Sequence, residues 1–309
     1  MTPDLRTLSG HSIGRFSFGT MQFGGRASED ESAAMYDACR AAGVVHFDTA
    51  HAYTDGASER MLGQFAASER ERVFIATKVS FPGGNSAGSI RSSVDESRQR
   101  LGMDVVDLLY LHRFDPEVRL EESLATLAEL REAGHIRHIG VSNFAAWQVM
   151  KAQAIAAGLG IRIDVLQPMY NLVKRQAETE ILPMCDSESI LPCTYSPLGG
   201  GLLTGKYATG GSGRLNEDDR YARRYRQEAM HEAARGLASL AAEREVDAAT
   251  LAVAWVARRA VPILSARNAE QLAPSLAAMD FPLDDALYAR LSALYPAPPP
   301  ATDRLEEAG

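Results

Sequence analysis

The sequence predicts an α/β fold, specifically a (β/α)8 barrel of the TIM type, from three observations. Short apolar runs rich in β-branched residues alternate without a break with amphipathic runs at helical spacing. Eight of these apolar runs precede a helical run, and eight strand-helix units suit a barrel of 309 residues. No Gly-x-Gly-x-x-Gly turn follows any strand, which favours the barrel over a doubly wound open sheet, the alternative with the same alternation.

Predicted strands and helices follow one another along the chain. Each strand is dominated by apolar or β-branched residues, and each helix carries apolar residues at helical spacing. Several helices are followed directly by a glycine, such as Gly43 and Gly102, that can end them. The strands begin at Arg15, Val44, Val73, Val105, Ile136, Val165, Leu191 and Val261, and helices are expected over residues 30–42, 58–67, 86–101, 121–133, 145–157, 176–187, 227–244, 248–259 and 269–278.

Other segments fall outside this alternation. The glycine-rich residues 19–25 read as a loop too flexible to belong to the core. Residues 199–225 are rich in glycine and arginine, which indicates a segment too polar to pack by itself. Residues 214–226 hold five arginines, two aspartates and two tyrosines, and predict either a lid or a solvated loop. We expect one barrel domain over residues 1–295 and an extended, proline-rich tail over residues 296–309.

The composition is that of an ordinary globular protein, with 46% hydrophobic and 23% charged residues. A formal net charge of −8 argues against a nucleic acid or an anionic membrane as the main partner, although a locally basic site could bind an anionic small molecule. No apolar run approaches the ~18 residues of a membrane span, and residues 1–10 lack an apolar signal core, so we expect a cytoplasmic protein. The sequence carries no signal for the oligomeric state.

The three cysteines indicate a reducing compartment, because Cys39, Cys185 and Cys193 are an odd number without Cys-x-x-Cys spacing. Cys39 lies at helical spacing with Met35 and Tyr36, so we interpret it as packing rather than as a nucleophile. The seven histidines show no metalloprotease spacing, and no metal site is predicted.

Four polar side chains are predicted at neighbouring strand ends. In a barrel, the carboxyl ends of the strands face one pocket, however far apart they lie in the sequence. Asp48, Tyr53, Lys78 and His112 fall at or just after three such ends. Taken singly, they could be a turn cap, a surface aromatic, a solvated strand end and a core histidine. Their joint appearance favours a catalytic site.

The chemistry open to these residues is specific. A tyrosine, with an unperturbed pKa near ~10, can donate a proton to a developing alkoxide. The Lys78 ammonium would stabilise the phenolate left behind, and Asp48 would hold that lysine in place. His112 would supply a second hydrogen bond to the substrate oxygen. This set predicts carbonyl reduction, provided that a hydride donor binds beside it.

The same residues lie in motifs that resemble those of the aldo-keto reductase family, in the same order and over nearly the whole chain, from Phe18 to Phe281. The resemblance implies a (β/α)8 barrel, a nicotinamide cofactor that is usually NADPH, and a catalytic tetrad of Asp48, Tyr53, Lys78 and His112. The matching motifs are Phe47-Asp48-Thr49-Ala50 with Tyr53 and residues 56–59, Thr77-Lys78, Leu111-His112-Arg113 with Asp115, Gly140-Val141-Ser142-Asn143-Phe144, Gln167, Tyr195-Ser196-Pro197-Leu198 with residues 201–207, and Ala266-Arg267-Asn268 with Gln271-Leu272.

The resemblance also implies cofactor contacts. Tyr195 would stack on the nicotinamide, and Arg267, unless it simply pairs with Glu270, would favour NADPH over NADH. The other implied cofactor residues are Ser142, Asn143 and Gln167 at the carboxamide, Ser196, Pro197, Leu198, Gly199, Gly201 and Lys206 at the pyrophosphate, Ser265 and Gln271 with Arg267 at the adenosine phosphate and adenine, Ser275 near the adenine, and Gly19, Thr20, Met21 and Asp48 at the first two strand ends.

The sequence departs from the family pattern at two places. Pro274 and Ser275 stand where many relatives have Glu-Asn at the adenine, and Arg113 follows the histidine where many eukaryotic members have tryptophan. We expect NADPH-dependent reduction of a small-molecule aldehyde or ketone, with Tyr53 as the proton donor. The alternatives are NAD(P)-dependent oxidation of a sugar or alcohol, with Tyr53 as the base, and a cofactor-binding regulatory protein of the channel β-subunit type.

Overall fold

Eight parallel strands form a closed barrel in the computed structural model, which describes residues 3–302. The strands pair in chain order, and the last pairs back with the first. They are β1 Ser17–Gly19, β2 His46–Asp48, β3 Phe74–Val79, β4 Val106–Leu111, β5 Ile136–Ser142, β6 Val165–Gln167, β7 Leu191–Thr194 and β8 Val261–Leu264. The predicted (β/α)8 barrel is confirmed, because a doubly wound open sheet would leave its two edge strands unpaired.

Helices connect the strands, and their ends follow local capping chemistry. They are α1 Glu29–Ala41, α2 Ala57–Ala66, α3 Ala87–Leu101, α4 Leu120–Glu132, α5 Ala146–Gly158, α6 Ile181–Glu188, α7 Arg214–Glu217, α8 Asp219–Arg224, α9 Glu228–Glu243, α10 Ala248–Ala257, α11 Ala269–Ala277 and α12 Asp285–Ser292. At α1, the Ser28 hydroxyl accepts from the Glu31 amide, and the Glu31 carboxylate accepts from the Ser28 amide. At α3, Gly102 ends the helix with a left-handed φ of 63°.

Buried side chains fix the strands on both faces. One cluster joins strand residues, among them Phe74 and Tyr110, to Leu5 and Ile13 from the N-terminal segment. A Cβ atom on Gly140 of β5 would lie 2.5 Å from the Tyr110 ring of β4, so that ring requires a glycine beside it. Cys39 is fully buried in α1, where burial raises the pKa of its thiol, in agreement with its interpretation as packing.

Residues 199–225, expected to be too polar to pack by themselves, pack against other helices of the chain. They form two short 3-10 helices, Gly199–Thr204 and Lys206–Thr209, followed by α7 and α8. Leu202, Leu203 and Tyr225 are buried in a cluster with α9 and α10. The apolar residues near the two ends of the segment hold it against these helices. Because the middle of the segment is polar, the average composition of the whole segment does not reveal the apolar ends.

The glycine-rich residues 19–25 also differ from expectation, since they are not outside the core. Gly19 completes β1, and Thr20 and Phe23 are fully buried. A Cβ atom on Gly19 would lie 2.8 Å from Cγ2 of Ile263. Close contact between β1 and β8 therefore explains this glycine better than flexibility does.

The C-terminal part contains one further helix that was not predicted, α12. Asp284, directly before it, is a typical N-cap residue, and its Oδ1 accepts from the Leu287 amide at 2.7 Å. Residues 296–302 contain neither helix nor strand, and the rest of the predicted tail, residues 303–309, lies outside the described part of the chain. Within residues 3–302, no helix is long and apolar enough to cross a membrane.

Candidate active site

The carboxyl ends of β2, β3 and β4 carry the four predicted catalytic residues. Asp48 is the last residue of β2, Lys78 is the penultimate residue of β3, and His112 directly follows β4. Tyr53 begins a 3-10 helix, Tyr53–Gly56, that connects β2 to α2. The parallel pairing of the three strands places their ends next to one another, so the four side chains meet although 64 residues separate the first from the last.

The Lys78 ammonium lies at the centre of this group and is fully buried. It forms an ion pair with Oδ1 of Asp48, donates to the Thr49 carbonyl oxygen at 2.7 Å, and lies 3.3 Å from the Tyr53 hydroxyl oxygen. The second carboxylate oxygen of Asp48 accepts from Nε2 of Gln167 at 2.8 Å. The three N–H donors of the ammonium thus have three acceptors, one of which is the phenol.

Burial and charge act against each other in this ion pair. Burial raises the pKa of the Asp48 carboxyl, while the Lys78 ammonium and the Gln167 amide oppose that shift. Burial by itself would lower the pKa of Lys78, but the Asp48 carboxylate and the Tyr53 hydroxyl together outweigh it, so the pKa of Lys78 is raised. The lysine is therefore protonated at neutral pH in spite of its burial.

Tyr53 and His112 face each other edge to face, with ring centroids 6.1 Å apart. Burial raises the pKa of the Tyr53 phenol, and the Lys78 ammonium opposes that shift. Burial lowers the pKa of His112 to about 3, with smaller contributions from the charges of Lys78 and Arg113. At neutral pH the site therefore presents a phenol and an uncharged imidazole.

The tautomer of His112 follows from its surroundings. Its Nδ1 is buried and has no hydrogen-bond partner among residues 3–302. A buried acceptor without a partner is less unfavourable than a buried donor without one, so the proton belongs on Nε2. Nε2–H is then the donor that His112 can offer to a ligand.

The predicted carboxamide residues form a hydrogen-bonded cluster at the ends of β5, β6 and β7. Asn143, with a left-handed φ of 58°, donates through Nδ2 to the His112 carbonyl oxygen at 3.0 Å and accepts from the Tyr195 hydroxyl at 2.7 Å. The Ser142 hydroxyl donates to the Gln167 carbonyl oxygen at 3.0 Å. Since Nε2 of Gln167 is bound to Asp48, this residue contacts the predicted catalytic group directly, which the sequence did not indicate.

The three cofactor residues predicted at the end of β1 differ in how accessible they are to a ligand. Gly19 lies within the strand, and the Thr20 hydroxyl is buried 2.7 Å from the Ser58 hydroxyl of α2. Met21 is 36% exposed, so it is the member of this group that a ligand can reach.

The stretch predicted to bind the pyrophosphate lies next to residues 214–226, the segment predicted to be either a lid or a solvated loop. Ser196, Gly199, Gly200 and Gly201 have positive φ angles. The three glycines adopt such angles without strain. A Cβ atom on Gly200 would lie 2.6 Å from the Tyr221 ring, so α8 packs directly on this stretch. Lys206 follows in the second 3-10 helix, while Pro197 and Leu198 lie between β7 and the first.

The predicted adenosine end shows a pairing that was not anticipated. Arg267 donates to the Glu217 carboxylate at 2.8 Å, and Arg26 pairs with the same oxygen at 3.0 Å. Glu270, the alternative partner that the sequence offered, is not the residue to which Arg267 is bound. The Gln271 side chain accepts from the Arg267 amide at 3.4 Å, Ser265 follows β8, and Ser275 is buried in α11.

Further residues support the site without having been assigned a role from the sequence. Glu59 of α2 is fully buried and accepts from the Thr77 hydroxyl at 2.7 Å and from Arg100 at 3.3 Å. Arg100 also donates to the His51 carbonyl oxygen at 2.9 Å, in the loop that leads to Tyr53. A glutamate within the buried stripe of α2 was the sequence signal that could have revealed this contact.

Comparison with known proteins places these observations in a family. The profile of the Aldo/keto reductase family matches residues 15–296. A probable voltage-gated potassium channel subunit beta from Oryza sativa subsp. japonica is 33% identical over 296 residues, which cover 88% of this chain and 89% of the relative. The human aflatoxin B1 aldehyde reductase member 4 is 40% identical over 195 residues, which cover 61% of this chain and 59% of that enzyme.

A solved structure is similar over nearly the full length of both chains. The glycerol dehydrogenase from Gluconobacter oxydans superimposes with a TM-score of 0.83 at 25% sequence identity, covering 95% of this chain and 94% of that one. The profile match extends over most of the 309 residues and includes all four residues of the predicted tetrad. The chain therefore belongs to the aldo/keto reductase family, whose members are oxidoreductases.

Proposed function

We propose that this protein reduces an aldehyde or ketone to an alcohol with NADPH and that Tyr53 donates the proton. The observation that carries the proposal is the buried Lys78 ammonium, which is paired with Asp48 and lies 3.3 Å from the Tyr53 hydroxyl oxygen. A positive charge held beside a phenol favours the phenolate and so eases the release of its proton. The Asp48–Lys78 pair gives Tyr53 this help while keeping the charge away from solvent.

The proton transfer follows from the charge states of the side chains. Because burial raises the pKa of Tyr53, the phenol keeps its proton at neutral pH until a stronger base, the developing alkoxide, takes it. Lys78 then stabilises the phenolate. The uncharged His112 donates from Nε2 to the same oxygen, which orients the carbonyl and offsets its growing negative charge.

Several observations support a nicotinamide dinucleotide as the cofactor. The Ser265 hydroxyl oxygen is buried and has no hydrogen-bond partner within residues 3–302, as expected of a group that a ligand satisfies. The backbone at Gly199, Gly200 and Gly201 has no side chains of its own, and the Lys206 Nζ lies 3.4 Å from where a Cβ atom of Gly201 would be. Tyr195 and Asn143 would hold the nicotinamide end. When bound, NADPH would supply the hydride.

Charge near Arg267 supports NADPH rather than NADH. Arg267 and Arg26 share one carboxylate, that of Glu217, so this group keeps a net positive charge that suits a 2′-phosphate. Glu217 ends α7, and α8 packs on Gly200. We therefore propose that α7 and α8 form a lid over the cofactor rather than a solvated loop.

Oxidation of an alcohol is the second candidate, favoured by the structural similarity to a glycerol dehydrogenase. The same residues would serve, with Tyr53 as the base. Because its pKa is raised, Tyr53 carries its proton at neutral pH, which is the state that reduction requires, whereas oxidation would need the phenolate; we place reduction first for that reason. A regulatory role, as the name of the rice relative suggests for that protein, would not need the Asp48–Lys78–Tyr53 group.

The three unpaired, buried thiols support a cytoplasmic location.

A steady-state survey tests the proposal. Aldehydes, ketones, sugars and polyols are assayed with NADPH, NADH and their oxidised forms. We expect oxidation of NADPH by aldehydes or ketones to exceed all other rates. Turnover confined to polyols and an oxidised cofactor would support the dehydrogenase instead, and tight NADPH binding without any turnover would support the regulatory role.

A further inference from the structure

Arg113 extends the candidate site beyond the four tetrad residues. It directly follows His112, is exposed, and lies over the Phe81 ring with its guanidinium carbon 4.3 Å from the ring centroid. Beside it lies a cavity of about 300 Å³. The residues that line this cavity are Ser80, Gly84, Arg113, Phe114, Asp115 and Pro116.

The guanidinium of Arg113 forms no hydrogen bond or ion pair within residues 3–302. Asp115, which also lines the cavity, forms no ion pair with it among the described residues, and its two carboxylate oxygens accept from backbone amides instead. Oδ2 accepts from the Asn85 amide and Oδ1 from the Glu117 amide, each at 2.9 Å. The five N–H donors of Arg113 are therefore available to a ligand.

The position of Arg113 is fixed relative to the tetrad. Phe81 contacts both the Arg113 guanidinium and the His112 ring, and the centroids of the Phe81 and His112 rings are 5.7 Å apart. Asn85 donates through Nδ2 to the Arg113 carbonyl oxygen, and Asn143 does the same to the His112 carbonyl oxygen, both at 3.0 Å. The Arg113 guanidinium and the His112 imidazole thus contact the same phenylalanine ring.

We propose that the carbonyl substrate carries an anionic oxygen group, a carboxylate or a phosphate, that Arg113 binds while Tyr53 and His112 hold the carbonyl oxygen. This inference rests on the proposed function. A guanidinium matches both anions with two parallel hydrogen bonds, and its stacking on Phe81 orients its plane. In a protein with a net charge of −8, such a local cation is what an anionic substrate requires.

The test compares matched aldehydes: 4-carboxybenzaldehyde, its uncharged methyl ester, and 4-formylphenyl phosphate. We expect kcat/KM of the wild type to be higher for an anionic aldehyde than for the ester. Arg113→Gln should lower this preference by about 10-fold or more, since hydrogen bonds to charged groups are worth ~1.5–3 kcal/mol. Arg113→Lys should restore part of it, because the charge returns without the planar fork. The ranking of the two anions separates carboxylate from phosphate.

Arg119→Gln is the matched control, because it removes a positive charge from an exposed position between β4 and α4. It should leave the preference within about twofold of the wild type, as expected of an exposed charge. If Arg113→Gln lowered kcat/KM equally for the ester and the anions, the anion site would be refuted while carbonyl reduction stood. If no aldehyde were reduced, the proposed function would fail. Calorimetric titration with 4-(hydroxymethyl)benzoate would then decide on Arg113: weaker binding by Arg113→Gln supports the site, and equal binding overturns it.

Discussion

Tyr53 is the residue on which the proposed proton transfer depends, since its hydroxyl oxygen lies 3.3 Å from the Lys78 ammonium. Tyr53→Phe removes the proton and retains the ring. We expect kcat to fall by roughly 10²-fold or more, the usual loss when acid-base help is removed, while NADPH affinity stays close to that of the wild type. Steady-state kinetics and a fluorescence titration with NADPH check this. A variant that kept more than about a tenth of wild-type turnover would show that another group supplies the proton.

Lys78 and Asp48 make different contributions to the acidity of that phenol. Lys78→Met removes the charge that stabilises the phenolate, so turnover should fall steeply. Asp48→Asn keeps the lysine but removes an attraction of about 4 kcal/mol, for unit charges ~4 Å apart at an effective dielectric constant near 20. Its loss of turnover should therefore be smaller.

The pH profile separates the two variants further. In Asp48→Asn, burial is no longer opposed by the carboxylate, so the pKa of Lys78 falls. Turnover of this variant should then decline with rising pH at a lower pH than that of the wild type. The measurement is kcat against pH, with a deuterated cofactor to check that hydride transfer limits the rate. Equal damage by both substitutions would mean that Asp48 does more than hold the lysine.

Arg267 sets the expected choice of cofactor. Arg267→Ala should weaken NADPH binding by ~1.5–3 kcal/mol, the usual contribution of a hydrogen bond to a charged group, and hardly affect NADH. The control is Arg119→Ala, which removes an exposed arginine between β4 and α4 and should leave the affinity for both cofactors close to that of the wild type. Fluorescence titration with both cofactors gives the result, and an equal loss for NADPH and NADH would contradict a role at the 2′-phosphate.

At the scale of elements, a buried ion pair joins α2 to α3 next to the loop that bears Tyr53. Glu59 of α2 has no exposed surface, and Arg100 of α3 is its charged partner. Gly56 leaves room for this arginine, since a Cβ atom there would lie 2.5 Å from Nε of Arg100. The bond from Arg100 to the His51 carbonyl oxygen ties the same pair to the loop.

Arg100→Met should therefore destabilise the protein and lower its turnover. It leaves the Glu59 carboxylate buried without a cation, a situation that costs roughly 3–5 kcal/mol. Adding Glu59→Gln removes that charge, so the double variant should be more stable than Arg100→Met alone. Urea unfolding of both single variants and the double variant measures the coupling. Losses that simply add would show that the two side chains act independently.

At the scale of the whole molecule, His46 makes stability depend on pH. It lies in β2 with no exposed surface, and neither ring nitrogen has a hydrogen-bond partner within residues 3–302. Burial lowers the pKa of His46 to about 3, and the charge of Lys78 adds to the shift. The unfolded chain, with a histidine pKa near ~6.5, therefore binds a proton that the folded protein does not.

The sign of the effect follows from this difference in bound protons. The stability contribution is complete above about pH 6.5 and is lost progressively as the pH falls towards 3. His46→Leu should flatten the fall in unfolding free energy between pH 7 and pH 4.5, while His112 keeps part of it, because its pKa is also lowered. Urea unfolding across this range, with the exposed His11→Gln as control, measures the slope. An unchanged slope in His46→Leu would contradict the prediction.

The sequence alone determined the barrel and the position of the proposed catalytic residues. Both depend on local order: apolar periodicity defines strands and helices, and the topology of parallel strands brings Asp48, Lys78 and His112 to one end. Where local signals were averaged over a long segment, as at residues 199–225, its short helices were missed. Where a short cap was overlooked, as at Asp284, a helix was missed.

Tertiary structure alone decided which groups pair and which are charged. Arg267 is bound to Glu217, 50 residues away, rather than to Glu270, three residues away. Gln167 contacts Asp48 across 119 residues. The uncharged state of His112 results from burial, and the protonated state of Lys78 results from Asp48 and Tyr53, which oppose the effect of burial. Desolvation and hydrogen bonding depend on distances in space, which the spacing of residues along a chain does not encode.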